Sequence, residues 1–200
     1  NSKYLLTLIN QLMDFRKIES NKLEVVYTHG NFEEFLESVI SPFEYKASDR
    51  YIRILRRYNL TDSVFYYDDE GLRKIMTNLL SNAIKYTPNQ GEITVYIKSF
   101  IDSTTNSHKL YLSVKDAGSG IPEEDKEKVF KKFYQSHNHL RYPVQGQSGT
   151  GIGLYLTKQV VEALGGNIWL KNNNKVGTTF RIILPLHKIN PQMLRLQHDH

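Results

Sequence analysis

The residues that most limit what this chain can become are 69–86, where Leu72, Ile75, Met76, Leu79, Leu80 and Ala83 recur at three- and four-residue intervals. That period makes a helix with one broad apolar face, so the rest of the fold must supply a surface to receive it. Away from the centre of the stripe, at i, i+4 and i+7, stand Asn78, Asn82 and Lys85. Asparagine is a mediocre helix former, and a merely solvated face is more cheaply built from Glu, Lys or Gln. Two amide oxygens and a cation in register can hold a hard metal ion and a polyanion together. Taken alone, the trio reads more simply as a polar helix face.

Two hundred residues at 40% apolar content can bury a core, and the length suits one domain with room for an appendage. There is no cysteine, which excludes disulfides, thiolate metal sites and cysteine nucleophiles. No apolar run approaches the ~18–20 residues of a membrane span, and no signal-peptide pattern opens the chain. A start at Asn1 rather than Met suggests a piece of something longer. The net charge of +5 is scattered: Arg53, Arg56 and Arg57 alternate with apolar residues, and Lys126, Lys128, Lys131 and Lys132 look like a helix surface. Nucleic-acid binding prefers a denser basic and aromatic surface, so solvated faces are the favoured reading.

Residues 4–24 predict a helix whose Leu5, Leu8, Leu12, Phe15 and Ile18 form a bundle seam, too narrow to bury itself and expected to pack on a partner helix. Residues 25–27 suggest a short strand. Asn31-Phe32-Glu33-Glu34 has the form of a capping box opening a helix to about residue 47, with a kink or break expected at Pro42. Strands are predicted at 51–55 and 64–67, the long helix at 69–86, a turn at 88–91, and strands at 92–101 and 110–114. A charged helix is expected up to Phe130, and then an aperiodic mobile loop over 135–148. A glycine-opened helix runs to Leu164, strands follow at 167–170 and 178–186, and the tail from His187 looks like a linker. Grouped strand pairs with helices between them predict an α+β fold, a mixed sheet with helices on one face.

Two glycine motifs carry chemistry. Asp116-x-Gly118-x-Gly120 follows a strand; glycine lets the backbone approach a ligand, and a carboxylate there can accept an N–H from an amino-purine. Asp-x-Gly by itself is more often a turn. Gly149-Thr150-Gly151-Ile152-Gly153-Leu154 puts backbone N–H groups at a helix start, where the dipole favours phosphate, though a lone Gly-x-Gly-x-Gly is weak. A dinucleotide fold needs such glycines directly after a strand, whereas a long polar loop precedes these. The Gly-Lys-Ser/Thr of a Walker loop is absent, as are the His-Arg-Asp and Asp-Phe-Gly of eukaryotic-type protein kinases.

In their order, Asn78…Asn82…Lys85, Asp116-x-Gly-x-Gly, Phe130-x-x-Phe133 and Gly149-x-Gly-x-Gly resemble the N, G1, F and G2 boxes of bacterial sensor histidine kinases. These belong to the ATPase superfamily shared with gyrase B, the heat-shock chaperone and the mismatch-repair ATPase. The resemblance runs to about Leu186, and residues 12–19 look like the end of the second helix of the family's dimerisation and phosphoacceptor domain. It implies a two-layer α/β sandwich with an ATP lid over 135–148, divided as 1–24 bundle helix, 25–187 catalytic domain and 188–200 linker or tail. It implies ATP and Mg²⁺ as cofactors, with Asn82 on the metal, Asn78 and Lys85 as catalytic residues on the phosphate side, and Tyr86 flanking the nucleotide. By the same resemblance Asp116 takes the adenine amino group, backed by Gly118 and Gly120, and Phe133 belongs to the site. Gly149, Thr150, Gly151, Gly153 and Leu154 hold phosphate, and Thr178 helps bind adenine.

Hydrolytic members of the superfamily carry a glutamate where this chain has Asn78, and an asparagine cannot act as a general base. That points to a phosphotransferase; an ATP-gated binding module is the alternative. None of the seven histidines has the acceptor-box context of the family, so the acceptor is expected outside this fragment. The implied partners are a phosphoacceptor helix, a response-regulator receiver domain and a second copy joined through the N-terminal helix. Nucleic acid is not among them. The implied location is the cytoplasmic side of an inner-membrane sensor.

Overall fold

A computed structural model describes residues 2–134, 151–173 and 177–198. Its central element is the long helix read from the sequence, α3 (Asp69–Tyr86). Asp68 sets its start: in extended conformation, its Oδ1 accepts from the Gly71 N–H at 2.7 Å, a cap worth about 1 kcal/mol. Thr87 ends it, because the following Pro88 drives Thr87 to ψ 131°. Leu72, Ile75, Met76, Leu79, Leu80 and Ala83 are all buried, as the stripe requires.

The surface that receives α3 is a five-stranded mixed sheet in the order β2 (Arg53–Asn59), β4 (Glu92–Asp102), β5 (Ser107–Lys115), β7 (Thr178–Pro185), β6 (Asn167–Asn172). Only β2 and β4 run parallel; the other neighbours are antiparallel. Parallel neighbours need a long crossover, and here it contains β3 (Val64–Tyr67) and α3. Strand alternation puts Ile93, Val95, Ile97, Leu112, Val114 and Ile182 into the core with α3, α2 (Phe32–Ser48) and α4 (Gly153–Ala163). Tyr96, Lys98, Tyr111, Trp169 and Arg181 belong to the opposite face. This is the α/β sandwich expected, with the helices on one side.

Several local expectations need correction. Residues 25–27 are not a strand: the Val26 N–H donates to Asp68 Oδ2 at 3.0 Å rather than to a ladder. The strand is β1 (Thr28–Asn31), paired with β3 in a separate two-stranded sheet. Helix α2 opens on the Asn31 cap as expected but runs unbroken through Pro42. The carbonyl that loses its partner there belongs to Ser38, on the exposed side where water can replace it. Strand β2 starts late because Tyr51 has φ 54° and belongs to the turn that closes α2. The charged stretch after Pro122 forms two 3₁₀ turns, Glu123–Asp125 and Lys128–Phe130, instead of a helix. Its few apolar residues make no helical stripe, and the turns suffice to bury Val129 and Phe130. The tail does not leave at once: the His187 carbonyl accepts from Tyr66 N–H at 2.8 Å, and residues 191–198 form α5 (Pro191–His198).

Helix α1 (Ser2–Glu19) buries none of its residues. Its second half lies on the domain: Asp14 pairs with Lys74 at 2.9 Å, Glu19 with Lys132 at 2.7 Å, and Phe15 packs on Tyr155. Leu5, Leu6, Ile9, Leu12 and Met13 stay exposed. At the far end of α3, Arg50 donates to the Ile84 and Thr87 carbonyls and, at 2.9 Å, to Asn89 Oδ1.

Candidate functional site

The alternation that buries β5 ends at Lys115, and the next residue, Asp116, is only 2% exposed. Two backbone donors orient its carboxylate: Oδ1 accepts from Gly118 N–H at 2.9 Å and from Thr178 N–H at 3.1 Å. The Asp116 N–H in turn donates to the Thr178 carbonyl at 2.9 Å, so the aspartate is stitched to the start of β7 on both sides. Two glycines make this possible. A Cβ on Gly177, whose φ is 92°, would stand 2.0 Å from the Asp116 carbonyl oxygen. A Cβ on Gly118 would stand 2.9 Å from the Tyr86 carbonyl oxygen, so this turn also packs on the end of α3. Thr87 Oγ1 adds a link by accepting from Ala117 N–H at 3.3 Å. Gly120 has φ 81°, and the residue after it, Ile121, is clamped on both backbone atoms by the Asn172 amide. Thr178 is fully buried, and its Oγ1 has no hydrogen-bond partner among the described residues.

The polar edge of α3 approaches the other motif. Asn78 Nδ2 donates to Thr157 Oγ1 at 3.2 Å and weakly to the Gly153 carbonyl at 3.4 Å, which ties it to the first turn of α4. Thr157 donates to the same carbonyl at 2.8 Å. One turn on, Asn82 presents a buried amide nitrogen with no partner among the described residues. A buried amide left so is costly, and because an amide can be turned end for end, either its oxygen or its nitrogen can meet a ligand. Lys85 Nζ lies 5.2 Å from the centre of the Tyr86 ring. Among the described residues, no group of three or more His, Asp and Glu side chains could hold a metal ion.

Gly151 has φ 73°, and a Cβ there would meet the Phe133 backbone at 3.0 Å. The Phe133 N–H donates to the Gly151 carbonyl at 3.0 Å, yet the ring is 63% exposed and turned towards Phe15 of α1 at 6.2 Å. Phe130 is the buried member of that aromatic pair, edge-on to Phe180. A Cβ on Gly153 would meet open space, and Leu154 packs against the core. Gly149, Thr150 and the expected lid at 135–148 lie outside the described residues.

The structure therefore brings Asn78 to Gly153 where α3 meets α4, and Tyr86, Asp116, Gly118 and Thr178 together where α3 meets the β5–β7 end. Asn82 stands one turn further along α3, and Gly151 packs on Phe133. Sequence reasoning missed Thr157, Thr87, Asn172, Gly177 and Asp68. Asp68 had a readable signal, a capping residue directly before the apolar stripe. The others act through contacts between distant segments.

A mixed five-stranded sheet covered on one face by three helices, with a buried carboxylate turn and a glycine-opened helix meeting at α3, defines an α/β sandwich of the ATPase type. The chain belongs to the histidine kinase-, DNA gyrase B- and HSP90-like ATPase family, whose model matches residues 67–188. It is 36% identical over 93% of its length to histidine kinase P4 of Formosa agariphila, of which it covers 13%. A crystal structure of full-length ShkA in complex with AMPPNP has the same fold, with TM-score 0.77, 22% identity, and coverage of 93% of this chain and 36% of that one. The histidine kinase ThkA, in complex with the response regulator protein TrrA, matches with TM-score 0.66 and 25% identity over 92% of this chain and 50% of that one. The chain spans less than half the length of the curated histidine kinases it matches. No helix among the described residues is long and apolar enough to cross a membrane.

Proposed function

We propose that this chain binds ATP with Mg²⁺ and is the catalytic domain of a two-component sensor histidine kinase, transferring the γ-phosphoryl group to a histidine outside residues 1–200. The observation that carries this is the convergence on one helix: α3 brings Asn78 to the glycine end of α4 and Tyr86 to the Asp116 turn, with Asn82 on the helix between them. Asp116 accepts the exocyclic amino group of adenine, with its carboxylate already oriented by two backbone donors. Thr178 Oγ1, buried without a partner among the described residues, faces the same end through its strand. The unpaired Asn82 amide fits a hard cation through its oxygen, and Asn82 is the residue that would hold Mg²⁺. When bound, the ion neutralises phosphate charge.

In the reaction the bond between the β,γ-bridging oxygen and the γ-phosphorus breaks, a bond from an imidazole nitrogen to that phosphorus forms, and ADP leaves. Lys85 stabilises the charge, and Gly151 and Gly153 offer backbone N–H groups to phosphate. Asn78, held against Thr157, orients rather than deprotonates, so water is a poor competitor. In the whole protein the phosphoryl group would pass on to an aspartate of a response regulator. The exposed apolar half of α1 would pair with a second copy, and the sensor would sit at the inner membrane with this domain on the cytoplasmic side.

Incubation with γ-labelled ATP tests the reading. This chain should bind ATP but neither hydrolyse it appreciably nor label itself; a longer chain restoring the preceding acceptor helix should label on that histidine alone. Binding without any transfer in the longer chain would leave an ATP-gated module instead. A stable acid-labile label on the 200-residue chain would place the acceptor among its own histidines.

A further inference from the structure

The face of the sheet turned away from the helices has no part in the nucleotide site, yet it is not an ordinary solvated surface. Across the middle of the sheet one row of cross-strand neighbours reads Arg57, Tyr96, Ser113, Arg181, Trp169. The row beside it reads Asn59, Lys98, Tyr111, Ile183, Asn167, and the row on the other side places Lys115 and Lys171. Arg57, Lys98, Lys115, Lys171 and Arg181 have no carboxylate partner among the described residues. The ion pairs on this face are Arg53–Glu92 and Lys109–Asp102, at its margins. The carboxylates of α2 and of the first turn of α3 lie on the other side of the molecule. A chain whose basic residues look scattered in sequence thus sets five cations without carboxylate partners among the described residues on one face, because strand alternation sorts residues that the sequence interleaves.

Its composition is that of a recognition surface. Trp, Tyr and Arg are the residue types that dominate the centres of protein interfaces, whereas lysine belongs at a rim. Here Arg57, Tyr96, Arg181 and Trp169 form the central row, and lysines surround it. Arg181 is partly exposed, has no carboxylate partner among the described residues, and its buried Nε finds no acceptor among them either, so the charge of the guanidinium is unpaired there. At about 4.8 Å per strand and 3.3 Å per residue, five strands give a flat patch of roughly 500 Å², which suits a modest transient interface.

We infer that the outer face of the β2-β4-β5-β7-β6 sheet docks an acidic protein surface, with the Arg57–Tyr96–Arg181–Trp169 row at the centre of the contact. Single-stranded nucleic acid fits less well. The Tyr96 and Tyr111 rings pack against each other at 62° and 5.9 Å instead of lying open as stacking platforms. An anionic bilayer fits less well too, because exposed Trp169 is bordered by Asn167, Lys171 and Arg181 rather than by an apolar belt that could enter the acyl region.

Trp169 is the only tryptophan in the chain, so its fluorescence reports this face and no other. The protein, free of nucleotide, is titrated at physiological ionic strength with a peptide of alternating glutamate and leucine blocks, with oligo-dT and with phosphatidylglycerol vesicles. The acidic peptide should change the Trp169 signal saturably. Arg57→Glu with Arg181→Glu should weaken that response about tenfold or more. Lys98→Glu with Lys171→Glu, both exposed positions, should weaken it as well and guards against a folding defect in the first pair. Lys22→Glu with Lys46→Glu, away from the face, should leave it unchanged. Tighter binding of oligo-dT or of vesicles, no response to the peptide, or equal losses from the control pair would each overturn the assignment. Because no nucleotide is present, none of these outcomes depends on the proposed kinase chemistry.

Discussion

The two ends of the candidate site are built on different principles. At the Asp116 end the carboxylate is already held: two N–H groups bind one of its oxygens, and close glycine contacts lock the turn to β7 and to α3, while the Thr178 hydroxyl is left without a partner among the described residues. At the amide end, Asn78 is tied to α4 by contacts of 3.2 and 3.4 Å, and Asn82 has an amide nitrogen without a partner among the described residues. A carboxylate at a strand end can be oriented by backbone, whereas side chains on a helix face are aimed only in direction. Changes at the first end should therefore disturb fold and ligand together, and changes at the second should disturb the ligand alone.

The hardest test of that contrast is Gly177→Ala. The added methyl meets the Asp116 carbonyl at 2.0 Å in a left-handed backbone, so unfolding free energy should fall by about 3 kcal/mol or more. A loss below about 1 kcal/mol in urea titration would mean that the Asp116 turn relaxes freely, and the contrast would disappear. Next in size is Asp116→Asn. Its amide oxygen can still accept from both N–H groups, but the charge is lost and a donor faces the adenine amino group. ATP affinity should drop by about 1.5–3 kcal/mol by calorimetry, and GTP binding as well as ATP would remove the role of Asp116. Asn82→Ala should lower affinity for ATP in the presence of Mg²⁺ by about 1–2 kcal/mol while unfolding free energy moves by no more than about 0.5 kcal/mol. An equal loss of stability would show that this end is prebuilt as well.

The smallest effect tests a place belonging to neither end. His187 lies half-buried, edge-on to the Tyr27 ring, and burial holds its imidazole below the ordinary value of 6.5. Tyr67 and Asp68 line the same small cavity. With the folded value depressed, the unfolded chain binds the extra proton first. The stabilising contribution is complete above about pH 6.5 and is lost as pH falls below it. His187→Phe should flatten that part of the stability profile and leave ATP affinity, compared at each pH, equal to that of the unsubstituted chain.

What could be read from the sequence follows the same division. The α3 stripe, its polar edge and the strand alternation are local and periodic; they put the apolar residues in the core and Asn78 and Asn82 on the long helix, where the structure has them. The Asp116 clamp was legible only as a turn motif. Its partners Thr178, Gly177 and Thr87 come from segments as far as 62 residues from Asp116, and no spacing rule connects them. The charged stretch 123–130 misled because helix-forming residues are abundant there, while the apolar stripe that would hold a helix in place is missing. Val25 to Tyr27 misled for the opposite reason: β-formers sit there, but a long-range cap takes the Val26 N–H. The basic sheet face was dismissed as scattered charge because it exists only once the strands are side by side.

Arg50 has an electrostatic consequence for the polar ridge of α3. Aligned peptide dipoles leave about half a negative charge at a helix C-terminus, carried by its last carbonyls. That end is where Lys85 and Tyr86 stand, and its field alone would repel any anion brought near. The guanidinium from the end of α2 lies directly on the Ile84 and Thr87 carbonyls and cancels that field with a cation from outside the helix. Lys85 then need not cap those carbonyls itself, and its charge adds to a helix end that no longer repels an anion.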